Sequence, residues 1–327
     1  MNLKYDMEAD WVLLTTCNFR CAYCFVPLPA LATKLTAYGT NGQWTEGFDA
    51  TGKTWLLHMT GGEPSIYPGF VDLCEKLTRH HYLSINSNLS HRCIETFAER
   101  INPERVHFIN AAAHYDERPK QTALDAFISR VQKLCRHRFH VLVSSVMTPL
   151  LVKNYPEISV YFESHGLSLI PKVMRERFKG KIYPGAYSAE EKSLIREYLA
   201  KARQSYATVI GAMAETATID MFADDRLLDS PRIYHGKLCG SGHNFVRIEP
   251  NGTVVRCGSG VQLGNILLKN VAFLNAPKPC DSFYCPYFCE KYTSPPIVPA
   301  QQTKRDVGDL FLILKAWRDS QREQLDG

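Results

Sequence analysis

Cys17, Cys21 and Cys24 stand in the run Thr16-Cys17-Asn18-Phe19-Arg20-Cys21-Ala22-Tyr23-Cys24, and three thiols at that spacing can hold three corners of a cubane iron–sulfur cluster. No fourth partner lies nearby in the chain, so one iron would stay open to a ligand from outside. A cluster that only carries electrons closes that site. An open iron points to chemistry. Short cysteine clusters also bind zinc, and C-x2-C alone fits either metal. Zinc ribbons, however, pair two such knuckles, and none follows within about forty residues, which favours the cluster. The second chemical segment is Gly61-Gly62-Glu63-Pro64, directly after the strand-like Thr54–Met59. Two glycines let a backbone approach a ligand closely, and the carboxylate can accept from an ammonium group. By itself the segment equally fits a Gly-Gly turn with a solvated Glu.

Taken together, the C-x3-C-x2-C run with Tyr23 before its last cysteine and the GGEP segment resemble the signature of the radical S-adenosylmethionine (radical SAM) superfamily. That resemblance implies a [4Fe–4S] cluster on Cys17, Cys21 and Cys24 whose open iron chelates the amino and carboxylate groups of SAM. It implies that Gly61, Gly62, Glu63 and Pro64 hold the methionine amine. The reduced cluster would cleave SAM to methionine and a 5′-deoxyadenosyl radical, which takes hydrogen from a substrate. Ser87 and Asn88 match the Thr-Asn-Gly-type segment that many members place near SAM. By the same resemblance Ser145 would reach the ribose, and Ile170 would wall the adenine with Tyr23 opposite. Ala111–Asp116 departs from the Ser-Leu-Asp segment of relatives; His114 within it could face the substrate or be structural.

These residues need elements to position them. Strand-like segments are Trp11–Thr15, Thr54–Met59, Tyr82–Asn86, Arg105–Asn110, Phe139–Met147 and Leu167–Val173, with helical patterns at Gly69–Arg79, Cys93–Ile101, Thr122–Arg136 and Tyr155–Ser164. Such alternation implies an α/β fold of parallel strands with right-handed crossovers. The six units look like the partial (β/α)6, TIM-like barrel of radical SAM proteins, with chemistry at the strands' C-terminal ends. The glycine-rich stretch Leu35–Thr54, with its Asn41-Gly42 turn signal, reads as a long loop, either a lid or a surface excursion. Past the sixth strand, Lys172, Arg175, Arg177, Lys179 and Lys181 could clamp a phosphate or carboxylate of the substrate, or form a solvated loop. Ser188-Ala189-Glu190-Glu191 is a capping box that starts a helix running to about Tyr206.

From Cys239 the pattern changes. Phe245–Cys257 alternates on both arms around Asn251-Gly252, which reads as a hairpin with a type I′ turn that returns Cys257 toward Cys239. Cys280, Cys285 and Cys289 follow, making five thiols in one small module, which suits an iron–sulfur cluster or zinc. The order resembles the SPASM/twitch extension, in its short form with one auxiliary [4Fe–4S] cluster. Cys239, Cys257 and Cys289 are the firmest ligands by that resemblance, and Cys285 or Cys280 supplies the fourth. Cys74, Cys93 and Cys135 fall on helices and read as buried apolar residues. The expected organisation is a barrel core at 1–185, a helical connection at 186–235, a twitch/SPASM-like cluster domain at 236–292, and at 293–327 a Pro-rich spacer with an amphipathic C-terminal helix.

Composition fits an enzyme of the cytoplasm. The chain has 327 residues, 45% hydrophobic, enough for one large core plus a satellite module. Its eleven cysteines accompany an N-terminus without the apolar core of a signal peptide and no run of membrane-spanning length, so they are expected reduced. A formal charge of +5 is too modest to argue for nucleic acid, and the chain says nothing of oligomeric state. By resemblance the auxiliary cluster takes a second electron, as in aminocyclitol dehydrogenases and sulfatase-maturing enzymes, with a flavodoxin- or ferredoxin-type donor. The expected substrate is a polar small molecule such as a sugar or nucleotide derivative. The alternatives are a peptide-modifying maturase and a non-catalytic iron–sulfur or zinc scaffold.

Overall fold

A computed structural model describes residues 3–280 except 25, 119, 176, 210–220, 229–233 and 258–259. Cys285, Cys289, the Pro-rich spacer and the C-terminal amphipathic helix lie outside the described residues. The elements run β1 (Met7–Leu14), α1 (Leu28–Leu31), α2 (Asn41–Asp49), β2 (Trp55–Gly61), α3 (Phe70–Leu77), β3 (Tyr82–Ser87), α4 (Cys93–Arg100), β4 (Val106–Ala112), α5 (Gln121–Arg136), β5 (Val141–Val146), α6 (Pro149–Glu163) and β6 (Leu169–Lys172). Then come the short pair β7 (Arg177–Phe178) and β8 (Lys181–Ile182), α7 (Ala189–Ser205), β9 (Leu238–Cys239), β10 (Phe245–Ile248), β11 (Thr253–Val255), β12 (Gln262–Asn265) and β13 (Lys278–Pro279). No helix among the described residues is long and apolar enough to cross a membrane.

Strands β1 to β6 lie side by side in chain order, all parallel, as six consecutive strand–helix units require. The C-terminal hairpin does not stand apart from them. β10 pairs parallel with β1, and β11 and β12 follow antiparallel, so one sheet of nine strands runs β12-β11-β10-β1-β2-β3-β4-β5-β6. It is open, with β12 and β6 at its ends. The hairpin turn differs from expectation. Only Gly252 takes positive φ, and its N–H closes the turn onto Glu249 O at 2.9 Å. Pro250, with its fixed negative φ, suits the second position of a type I turn followed by a left-handed glycine.

β1 starts four residues earlier than its apolar pattern suggests, because Glu8 and Asp10 are buried within it. Glu8 meets His58 Nε2 at 2.6 Å, and His58 Nδ1 lies against the Ser84 hydroxyl. Asp10 sits in register with His58 on one side and Arg247 on the other. Burial pushes its carboxyl above the usual range, against the pull of Arg247 and His58.

The stretch read as a long loop contains α2. Thr40 accepts from Gln43 N–H and Gln43 accepts from Thr40 N–H, a capping box that the Asn-Gly pair concealed. Trp44 and Phe48, one turn apart, then pack on Trp11 with ring centroids 4.8 and 5.0 Å away. The segment is therefore part of the core and not a lid. Helix α6 begins at Pro149 under a Thr148 cap and runs through Pro156. Proline suits the first turn, and the lost bond at Pro156 is offset by the buried face of Leu151, Tyr155, Ile158 and Phe162.

The cationic stretch after β6 is tied down inside the chain. Asp224, fully buried, accepts from Lys172 Nζ at 2.6 Å, Arg175 at 3.0 Å and Val173 N–H at 2.7 Å. Two of the five cations thus already face an internal carboxylate. Burial disfavours the Asp224 charge, but Lys172 and Arg175 outweigh it and hold the carboxyl below its ordinary range. Its stabilising contribution is therefore complete above an unfolded pKa of about 3.9 and is lost as pH falls through the lower folded value. Asp224→Asn is expected to cost about 3 kcal/mol in urea unfolding at pH 7. The variant should also show a shallower loss of stability below about pH 4.

Candidate functional site

The cysteine loop leaves the C-terminal end of β1 and is fastened on both sides. Cys17 N–H donates to Leu31 O at 3.1 Å, and Cys24 N–H donates to Cys21 O at 3.0 Å. Phe19 N–H points at Cys17 Sγ, 3.3 Å away. Beside it, Gly62 N–H donates to Leu14 O at 2.8 Å and Glu63 N–H to Thr16 O at 3.0 Å, continuing the β1–β2 pairing up to the loop. This close pairing explains both glycines. A Cβ on Gly61 would strike the Leu14 carbonyl, and one on Gly62 the Thr16 carbonyl. Their immediate neighbour is the backbone leading into Cys17.

Glu63 is 1% exposed and its carboxylate is turned into the chain. Oε1 accepts from Ser65 N–H at 3.0 Å, Ser65 Oγ at 2.6 Å and Ser87 Oγ at 2.6 Å, and Oε2 accepts from Asn88 N–H at 2.7 Å. Oε1 takes three of these donors and Oε2 one, which leaves Oε2 an acceptor site. In this arrangement Glu63 ties the end of β2 to the end of β3. Asn88 Nδ2 continues the network to Asn18 Oδ1 at 2.9 Å, and Asn18 Nδ2 reaches Ser90 Oγ at 2.6 Å. The cysteine loop, Gly61–Pro64 and Ser87–Asn88 are thereby joined in one hydrogen-bonded unit. Leu89, where the resembling segment carries Gly, takes a left-handed φ of 53°, a conformation costly for an L residue.

His114 lies over this unit at φ 44°. Its Nδ1 is 3.0 Å from Tyr23 Oη and 3.7 Å from Cys21 Sγ, and its ring stacks on Tyr23. Tyr23 therefore faces His114 and not Ile170. Burial, then the Arg118 charge, pushes the imidazole down to about 4, so it is neutral near pH 7. Sequence reasoning missed Arg118. It is 7% exposed, lies between the rings of Phe19 (5.0 Å) and Phe127 (4.7 Å), and donates to Ala113 O at 2.6 Å and to Asn88 O. Its signal was available only as an Arg shortly after the departing Ala111–Asp116 segment.

The other expected cofactor contacts lie under cover. Ile170 is fully buried among Phe108, Leu142, Leu199 and Phe222, so it offers no open face to a purine. Ser145 is 4% exposed and sits in register with Pro171. Arg177 is exposed on β7.

Desolvation raises all three N-terminal thiols, Cys21 to about 12, so as free groups they hold their protons. None is in a disulfide. Among the described residues no three His, Cys, Asp or Glu side chains converge closely enough to hold a single metal ion. A cubane spreads its thiolates over separate corners and supplies the positive charge a buried thiolate needs, so this donor set fits it. In the C-terminal module Cys239, Cys257 and Cys280 gather around Tyr234 and Phe245. Ser241 N–H points at Cys239 Sγ, 3.4 Å away, and Cys257 holds a left-handed φ of 53°. The β9–β13 pair brings Cys280 into this group.

No family model matches the chain. A curated relative, the GTP 3′,8-cyclase of Pseudomonas fluorescens (strain Pf0-1), is 34% identical over 82 residues, 22% of this chain and 23% of the cyclase. The chain thus spans about a quarter of that relative's length. Among solved structures, anSMEcpe with bound AdoMet and the Cp18Cys peptide matches with a TM-score of 0.52 at 15% identity, over 80% of this chain and 78% of the other. Streptococcus suis SuiB bound to S-adenosylmethionine matches with a TM-score of 0.51 at 13% identity, over 77% and 60%. At such identities the likeness is one of fold.

Proposed function

Since the chain has the fold and the paired sequence motifs of the radical SAM superfamily, we propose that it is an enzyme that reductively cleaves S-adenosylmethionine and uses the product to take hydrogen from a substrate. The observation that carries this reading is the Glu63 network. It draws Gly61–Pro64, Ser87–Asn88 and the loop of Cys17, Cys21 and Cys24 into one unit at the strands' C-terminal ends. When bound, a [4Fe–4S] cluster on those cysteines supplies the electron for SAM cleavage. The chain's own part is to hold the three thiols at fixed spacing and to keep the surrounding carboxylate occupied internally. His114, neutral near pH 7, fixes the Tyr23 hydroxyl beside Cys21. Cys239, Cys257 and Cys280, with Cys285 or Cys289, are assigned to one auxiliary cluster that would accept a second electron.

For the substrate, a peptide is now the better reading. The fold match extends to anSMEcpe with its bound peptide and to SuiB with precursor peptide SuiA, the latter at a TM-score of 0.50 over 90% of this chain. Lys172 and Arg175, candidates for clamping a phosphate, already hold Asp224. The cyclase match keeps a nucleotide as the second reading. After anaerobic reconstitution, dithionite reduction with SAM is expected to release 5′-deoxyadenosine. Adding a substrate peptide should raise its yield and introduce deuterium from a labelled peptide. No nucleoside product without dithionite-dependent SAM loss is expected; zinc in place of iron after oxygen-free purification would defeat the assignment.

A further inference from the structure

Arg118 is a buried cation that no carboxylate among the described residues neutralises. It meets two backbone carbonyls and two phenyl faces. A guanidinium remains protonated at any working pH, and leaving it buried without an anion is costly. Arg130 faces it and repels it, and Glu63 attracts it at longer range; the Tyr23 phenol and Cys21 thiol beside it hold their protons as free groups and would attract it only when deprotonated. Glu63 is committed to four donors from Ser65, Ser87 and Asn88. What remains on the attractive side is the cysteine loop itself, on which Arg118 rests through Phe19, between Cys17 and Cys21.

We propose that Arg118 is the fixed counter-cation of the anionic thiolate-bound cluster at Cys17, Cys21 and Cys24, and that it raises that cluster's reduction potential. The inference rests on the proposed function. Reduction adds one electron and no proton to the cluster, so the reduced form carries one more negative charge than the oxidised form. A positive charge held nearby in a desolvated setting favours the reduced form, by an amount that falls with distance and local dielectric. Stacking between Phe19 and Phe127, with the carbonyls of Ala113 and Asn88 at its edge, keeps the guanidinium from turning to solvent.

The test is an anaerobic redox titration of the reconstituted full chain, followed by electron paramagnetic resonance, in a background where Cys239 and Cys257 are replaced by Ser to silence the second thiol group. Arg118→Met fills the slot between the two rings but withdraws the donors from the Ala113 and Asn88 carbonyls. Arg118→Gln keeps a donor for the carbonyls. Both should retain the N-terminal iron and sulfide while their reduced-to-oxidised ratio at the wild-type midpoint falls about tenfold, equivalent to about 59 mV for one electron. Arg118→Lys, which retains the charge, should stay near the wild-type midpoint, and Arg130→Gln should not move it. Full cluster content with unchanged midpoints in both neutral variants would overturn the inference and leave the proposed function standing. Unchanged midpoints with weakened SAM binding would give the cation to the SAM carboxylate, again overturning it. A wild-type chain that takes up no iron would overturn both.

Discussion

Replacing Cys17, Cys21 and Cys24 together by alanine is expected to remove about four irons per chain and to abolish 5′-deoxyadenosine formation with or without substrate. The expectation follows from where the thiols sit. Their loop is held by backbone bonds from Cys17 N to Leu31 O and from Cys24 N to Cys21 O, neither of which needs a side chain. The triple variant should therefore keep the nine-stranded sheet and lose only the donors. Circular dichroism should be unchanged and the stability in urea should fall by no more than about 3 kcal/mol from the parent apoprotein, since each change trims one thiol and of the three only Cys21 is buried. Iron and acid-labile sulfide, measured beside nucleoside release, give the result. SAM cleavage that persists in the triple variant would remove these cysteines from the chemistry.

Glu63→Gln should be the most damaging single isosteric change at the site. The carboxylate accepts from four donors in a fully enclosed position, and it is the only group joining Ser65 at the end of β2 to Ser87 and Asn88 at the end of β3 among the bonds described. An amide brings two donors of its own, so wherever it turns, one NH2 confronts a donor already present. Each buried donor left unsatisfied costs about 1–3 kcal/mol. A loss of about 3 kcal/mol is expected in denaturant unfolding of the apoprotein, together with SAM affinity reduced at least tenfold. The two readouts separate two roles. If SAM binding falls while stability is unchanged, Glu63 contacts the cofactor directly and its inward bonding is incidental. If both fall, its work is to hold the rim together.

Much of this protein was legible before any coordinates. The six parallel units announced themselves because strands buried on both faces read as short apolar runs, and amphipathic helices show a stripe at helical spacing. The cysteine and GGEP segments were visible because their chemistry depends on neighbours in sequence. Local signals were misread where two of them competed. Thr40–Gln43 is a capping box, but the Asn-Gly pair inside it also spells a turn, and only the packing of Trp44 and Phe48 on Trp11 distinguishes α2 from a loop. β1 was started late because Glu8 and Asp10 break the apolar pattern, and only their partners His58 and Arg247, fifty and more residues away, make such residues tolerable inside a sheet.

What the sequence determined, then, was the set of reactive residues and the kind of layered fold that carries them. What tertiary structure alone decided was the partner of each charge. Nothing local could say that Glu63 turns inward to Ser87 and Asn88, that Asp224 claims Lys172 and Arg175, that Cys280 joins Cys239, or that Arg118 lies against the cysteine loop with no carboxylate of the described residues in ion-pair distance. The reason is physical. Periodicity records which side of an element avoids water, whereas the balance of a buried charge is set by groups that only the crossing of distant segments brings within a few ångströms.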